Sequence, residues 1–404
     1  MDTSSPGRRL FYIDWLKVLV VLGIFFYHSA MPFAYARWMI SNSQKSVLLS
    51  IYAVIGYQFG IPLLFVIAGA NGWLSLGVRK ASRFVRERFW RLFVPLGVGI
   101  IVLSPVQSYF MVVSRGQYGS SFFTYIPIFF RGMTFYFNPT WLGNYGYHLW
   151  FLGFLFLYSM VAVPIDTWLR SRAASHWIDV AARASQKPGG IFLAVIPVAL
   201  VQMALRARFP AYQDWADLVN WLVFFLCGAL LVSDPRIAVA VKAQGGRALL
   251  WTLGVGLMLL AMAGAGLVSN WEANPSYAPG YLFYQVLRSV FTYGWVLICL
   301  NIGLRWLEVG NRFLRHADEA VMPFYVIHHP VIVAVAFYVV QWHAGLWTKE
   351  LSLVITALAI TIGIYEFLIR PFDPLRLVFG LKPKAGTPQL ASISHSPSGH
   401  PISI

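Results

Sequence analysis

Long apolar runs separated by short polar segments set the pattern of this chain. A helix needs roughly 17 to 25 apolar residues to cross a bilayer. Runs of that length predict helices at residues 10–33, 47–76, 92–113, 148–166, 190–206, 217–233, 247–269, 281–304, 320–341 and 350–369. In hydrocarbon, backbone polar groups must be satisfied internally, so the predicted fold is an all-α, polytopic transmembrane helix bundle of about ten spans. Residues 1–384 form this transmembrane domain, and the Ser-, Gly- and Pro-containing stretch 385–404 is expected to be a disordered tail.

The first apolar run breaks the pattern, because Asp14, Lys17 and His28 lie inside it. A charge near the centre of a membrane helix costs roughly 2.5–3.5 kcal/mol, so such residues are retained chiefly for function. At 3.6 residues per turn, Lys17 and His28 point the same way to within roughly 20°, and Asp14 falls within about 60° of each. All three share a face that must look into protein or a water-filled cavity. The rise per residue separates Lys17 from His28 by roughly 16 Å along the axis, which puts them toward opposite membrane surfaces.

Composition agrees with this solvent. A chain with 58% hydrophobic and only 11% charged residues is not a soluble globule. The two cysteines, Cys227 and Cys299, lie in apolar runs and support neither disulfide nor metal chemistry. The first run is too long and too charged for a cleaved signal peptide.

A net charge of +16 would suit nucleic acid, but its distribution points elsewhere. With a cytoplasmic amino terminus, 22 of the 31 lysines and arginines fall in cytoplasmic segments and 7 in outer ones. That is the bias of a membrane protein with both termini cytoplasmic, and it leaves no call for a nucleic-acid partner. The longest outer segment, 114–147, is rich in Phe, Tyr and Trp. Those rings suit either an interfacial belt or stacking on a sugar or lipid acceptor.

Between the second and third spans, a loop is expected from Arg79 to Arg91, with six cations and one acid in thirteen residues. Guanidinium groups bind phosphates bidentately, so this segment could hold a polyanionic cosubstrate as well as lipid headgroups. Its combination with an intramembrane histidine resembles a known family. Arg9-Leu-Phe-Tyr-Ile-Asp-Trp-Leu-Lys17, His28, Phe65-Val-Ile-Ala-Gly69 and Arg88-Phe-Trp-Arg91 look like the integral-membrane acyltransferases called acyltransferase 3. The likeness continues through His148-Leu-Trp-Phe-Leu152, Pro323-Phe-Tyr-Val-Ile-His-His-Pro330 and Tyr365-Glu-Phe-Leu-Ile-Arg370, and its pattern resembles the branch that includes glucan-modifying enzymes.

The resemblance implies transfer of an acyl group, acetyl or similar, from cytosolic acyl-CoA to a glycan or lipid hydroxyl at the outer face. The setting it implies is the plasma membrane of a bacterium. It makes His28 the catalytic histidine, as general base or as acyl carrier, and gives the CoA phosphates to Arg88 and Arg91. Acyl-CoA is then a cosubstrate, with no tightly bound cofactor. The expected partners are acyl-CoA, the acceptor and membrane lipids. No fused soluble domain is expected beyond the tenth span.

Lys17 is expected either to line the donor tunnel or to form a structural pair with Asp14, about one turn away. His328 and His329 are expected in the inner half of the ninth helix, pointing roughly 100° apart, so that at most one faces the cavity. Arg288 is a candidate tunnel residue, because a cation within a span must find an acid or a polar cavity. His148 is expected at the outer end of the fourth helix, in water or against the acceptor. Intramembrane charges also mark secondary transporters, but the inverted repeats common in those proteins are not apparent.

Overall fold

The computed structural model describes residues 9–384, so the expected tail at 385–404 lies outside the described residues. All ten apolar segments are helical, and no strand occurs among the described residues. Among the described residues, nine helices are long and apolar enough to cross a membrane. These are α1 (Phe11–Phe33), α2 (Val47–Val78), α3 (Ala81–Ser114), α4 (Thr140–Leu169), α6 (Trp215–Ser233), α7 (Gly245–Gly264), α8 (Pro279–Trp306), α9 (Arg312–Val339) and α10 (Leu346–Ile369). The remaining segment, α5 (Gly190–Leu205), is a shorter apolar helix whose first turn is 3₁₀.

Two boundaries differ from the sequence expectation in ways that bear on the site. The basic segment is not a loop. From Ala81 onward it is the first part of α3, with Phe84 and Leu92 buried, Arg83 and Arg86 on the exposed side, and Arg88 one turn from Phe84 on its side of the helix. A π turn at Phe89–Phe93 joins it to the apolar part, and Arg91 sits within that turn. Helix α9 starts at Arg312, capped by Asn311, whose Oδ1 accepts from the Leu314 amide at 2.7 Å. The early start brings Asp318 into the helix and puts His328 and His329 beyond its middle.

Helix α1 packs against α2, α8 and α9. Asp14, Leu16 and Phe25 are buried on its inner side, while Leu19 and Phe26 face outward. The polar seam of the first span is therefore turned into the bundle. Helices α2 and α6 make a close crossing. A Cβ on Gly69 would fall 1.8 Å from the Phe225 carbonyl oxygen, and one on Gly228 would fall 1.8 Å from that of Val66. Only glycine lets these backbones approach so closely.

Gly228→Ala must push the two helices apart and should cost about 1–3 kcal/mol, lowering the thermal midpoint of the detergent-solubilised protein. Gly254→Ala, at a position where a Cβ would meet nothing within 4 Å, is the control. Equal midpoints for the two variants would refute the close crossing.

Candidate active site

Four histidines meet inside the bundle. Helix α1 supplies His28 and α9 supplies His328 and His329, while a 3₁₀ turn within α4, Tyr147–Leu149, supplies His148. Tyr147 adopts φ 50°, a conformation costly for a tyrosine, where the chain bends to bring His148 inward. The His28 ring centroid lies 5.3 Å from that of His328 and 4.4 Å from that of His329. His148 stacks on His329 at 4.7 Å.

Both α9 histidines reach the cluster, although their side chains leave the helix roughly 100° apart. Rings arriving from α1 and α4 cover a wide enough arc of α9 to touch two adjacent positions. His148 does not meet water; it is 6% exposed. These contacts are hydrogen bonds and ring stacking, and no group of three or more His, Cys, Asp or Glu among the described residues could hold a metal ion.

The hydrogen bonds fix the tautomers. His328 Nδ1 lies 2.7 Å from the Tyr325 carbonyl oxygen and 3.2 Å from that of Phe324, so it must be the protonated nitrogen and donate. His328 Nε2 is then bare and accepts from His28 Nδ1 at 3.1 Å. That leaves His28 Nε2 without a proton, with its lone pair available. His329 Nδ1 donates to Gln107 Oε1 of α3, and His148 Nε2 donates to the Val326 carbonyl at 3.1 Å. Trp38, after α1, lies nearly parallel to the His28 ring, with centroids 6.5 Å apart.

Toward the basic end, a cavity of about 450 Å³ separates α1, α2, α3 and α9. Lys17, Arg88, Arg91 and Asp318 line it, and Tyr325 forms its wall toward the histidines. Tyr325 donates its hydroxyl to the His148 carbonyl and accepts from His328 through its own carbonyl. The cavity thus ends against residues bonded directly to the cluster.

Lys17 pairs most closely with Asp318, not with Asp14, which lies 3.8 Å away. Asp14 is taken instead by Arg9, which also reaches Asp318 at 3.1 Å. Glu87 is occupied by Arg79 at 2.6 Å and Arg83 at 3.2 Å. No ion pair joins Arg88 or Arg91 to another described residue. Arg88 lies over the Phe84 ring at 4.8 Å, and both guanidiniums keep donors for a ligand.

Arg288 does not line this cavity. It borders a separate one, of about 570 Å³, shared with Tyr27 and Met31 of α1. Glu366 and Arg370 pair at 2.8 Å, as their spacing predicts.

Comparison with known proteins agrees with the resemblance read from the motifs. Residues 10–366 match the family model described as "Acyltransferase domain", Acyl_transf_3. The chain belongs to this family. Relatives include glucans biosynthesis protein C of Salmonella heidelberg (strain SL476), 22% identical over 97% of this chain and 100% of that protein. The protein of the same name from Escherichia coli (strain K12) is 22% identical over 94% of this chain and 96% of its own length. No solved structure matches. The protein is an acyltransferase built as an integral-membrane helix bundle.

Sequence reading missed Asp318, Gln107 and Trp38. Asp318 carries a readable signal, since it lies one turn below Met322 on the face of α9 that meets Lys17. Gln107 and Trp38 become legible only once α3 and the segment after α1 are folded against the histidines.

Proposed function

We propose that this acyltransferase takes its acyl group from acyl-CoA on the cytoplasmic side and delivers it to a hydroxyl of a glycan or lipid at the opposite face of a bacterial plasma membrane. The observation that carries this reading is one cavity that begins at Arg88 and Arg91 and ends at Tyr325, against the histidine cluster. The distribution of basic residues supports a cytoplasmic basic end. A glycan acceptor is supported by the name of the relatives, glucans biosynthesis protein C.

Phosphates do not enter hydrocarbon, so the CoA phosphates stay at Arg88 and Arg91 while the slender pantetheine arm carries the thioester inward past Lys17. His28 Nε2 removes the proton from the acceptor hydroxyl as its oxygen attacks the thioester carbonyl. The C–S bond then breaks, an ester remains on the acceptor, and the imidazolium returns the proton to the CoA thiolate. His328 holds His28 Nδ1–H and so keeps Nε2 facing the reaction.

The test uses purified protein in liposomes, with labelled acetyl-CoA and a gluco-oligosaccharide as acceptor. Label joined to the oligosaccharide, with one CoA freed per transfer, is the expected result. Saccharide labelled no faster than in empty vesicles overturns the reading.

A further inference from the structure

No step above uses the cavity at the histidine end. Tyr27 of α1, Tyr57 and Gln58 of α2, Tyr212 after α5, and Tyr281 and Arg288 of α8 line it. A smaller cavity of about 40 Å³, lined by Asn220 of α6, shares Tyr57, Gln58 and Arg288 with its wall. The wall nearest the reaction centre is Tyr27, whose ring meets that of His28 edge-on with centroids 5.1 Å apart.

Two polar groups here lack the partners that a membrane interior demands. No hydrogen bond or ion pair within 4 Å joins Arg288 to another described residue, since the neighbouring acids are engaged elsewhere. Asp217 binds Arg206 and accepts from the Gln213 amide, and Glu272 accepts from the Tyr284 hydroxyl at 2.7 Å. Asn220, 6% exposed, has an Oδ1 with no hydrogen-bond partner. A forked donor that borders both cavities and a bare amide oxygen at the smaller one are therefore left without partners among the described residues.

The lining tells which ligand fits. Among the charged groups on its wall Arg206 is paired with Asp217, which leaves one cation, Arg288, and one acid, Glu272, rather than the net-positive site a phosphate would need. Phenol faces, carboxamides and a balanced charge suit a neutral polyol ring: aromatic faces cover its C–H surface while polar groups bridge its hydroxyls.

We infer that this cavity is the acceptor subsite and that it holds a sugar ring. Arg288 spans two neighbouring hydroxyls, and Asn220 accepts from a hydroxymethyl group that enters the smaller cavity beside it. The ring's reacting hydroxyl faces past Tyr27 toward His28. Arg288 is thus a residue of acceptor recognition, which accounts for its place outside the donor cavity. This inference rests on the acyl-transfer reading, but it concerns binding alone and is tested without turnover.

The full chain in detergent is titrated calorimetrically with a short gluco-oligosaccharide and, separately, with acetyl-CoA. Arg288→Met is expected to weaken saccharide binding about tenfold or more, as befits loss of a charged donor, with acetyl-CoA affinity unchanged. Asn220→Leu is expected to weaken the saccharide alone by a smaller factor. Arg288→Lys, which keeps the charge but loses the fork, also weakens the saccharide and serves if the methionine variant does not fold.

Unchanged saccharide affinity in the Arg288 variants overturns the inference. So does a wild-type protein that binds acetyl-CoA but no saccharide, or displacement of saccharide by inorganic phosphate, which would mark an anion site. Failure of acetyl-CoA alone to bind would instead sink the donor reading and leave the saccharide result standing.

Discussion

Replacing His28 by alanine is expected to lower acyl transfer by roughly 10²–10⁴-fold, the range for loss of a general base, while membrane insertion and donor affinity persist. Among the four clustered histidines, only His28 combines a bare ring nitrogen with partial exposure. His328 has both nitrogens engaged and is fully buried. His329 is 4% exposed and is held by Gln107. His148 does carry an unpartnered Nδ1, but that atom is enclosed and out of a substrate's reach. Label transferred from acetyl-CoA per minute is the measurement, with thermal unfolding as the control for fold. An alanine variant that keeps more than about a tenth of wild-type transfer would refute the role, because no bulk base at neutral pH replaces a positioned imidazole so well.

Much of this site was legible along α1 alone. The 3.6-residue period puts Asp14, Lys17 and His28 on one face, and the cost of charge in hydrocarbon says that the face turns inward, where the fold puts it. What one helix cannot reveal is the partner chosen from another. Lys17 has an acid one turn away, yet its closest partner is Asp318, because α9 runs beside α1 and Arg9 competes for Asp14. The basic segment after α2 reads as a loop because hydropathy windows score its charges as breaks. A helix with one buried face tolerates those charges on the other, as Phe84 and its flanking arginines do. His148 is similarly opaque: it precedes a long apolar run, which reads as a helix end in water, but the kink at Tyr147 folds it under its own helix.

Arg88→Met combined with Arg91→Met is expected to raise the KM for acyl-CoA by about 10²-fold or more, with kcat nearly unchanged. A hydrogen bond to a charged group contributes about 1.5–3 kcal/mol, and each tenfold in affinity needs about 1.4 kcal/mol, so two such contacts exceed that factor. The split between KM and kcat follows from geometry. Both arginines line the basic end of the cavity, while the proposed reaction has its atoms meet at the other end, beyond Tyr325. Lys17→Met is a different case. It leaves Asp14 and Asp318 sharing Arg9 inside the bundle, and so disturbs fold and donor path together. Added salt should raise the wild-type KM and scarcely affect the double variant, since the screened interaction is already gone. A double variant with wild-type KM, or with a low kcat at saturating donor, would remove the phosphates from these arginines and require another route for the thioester to the histidines.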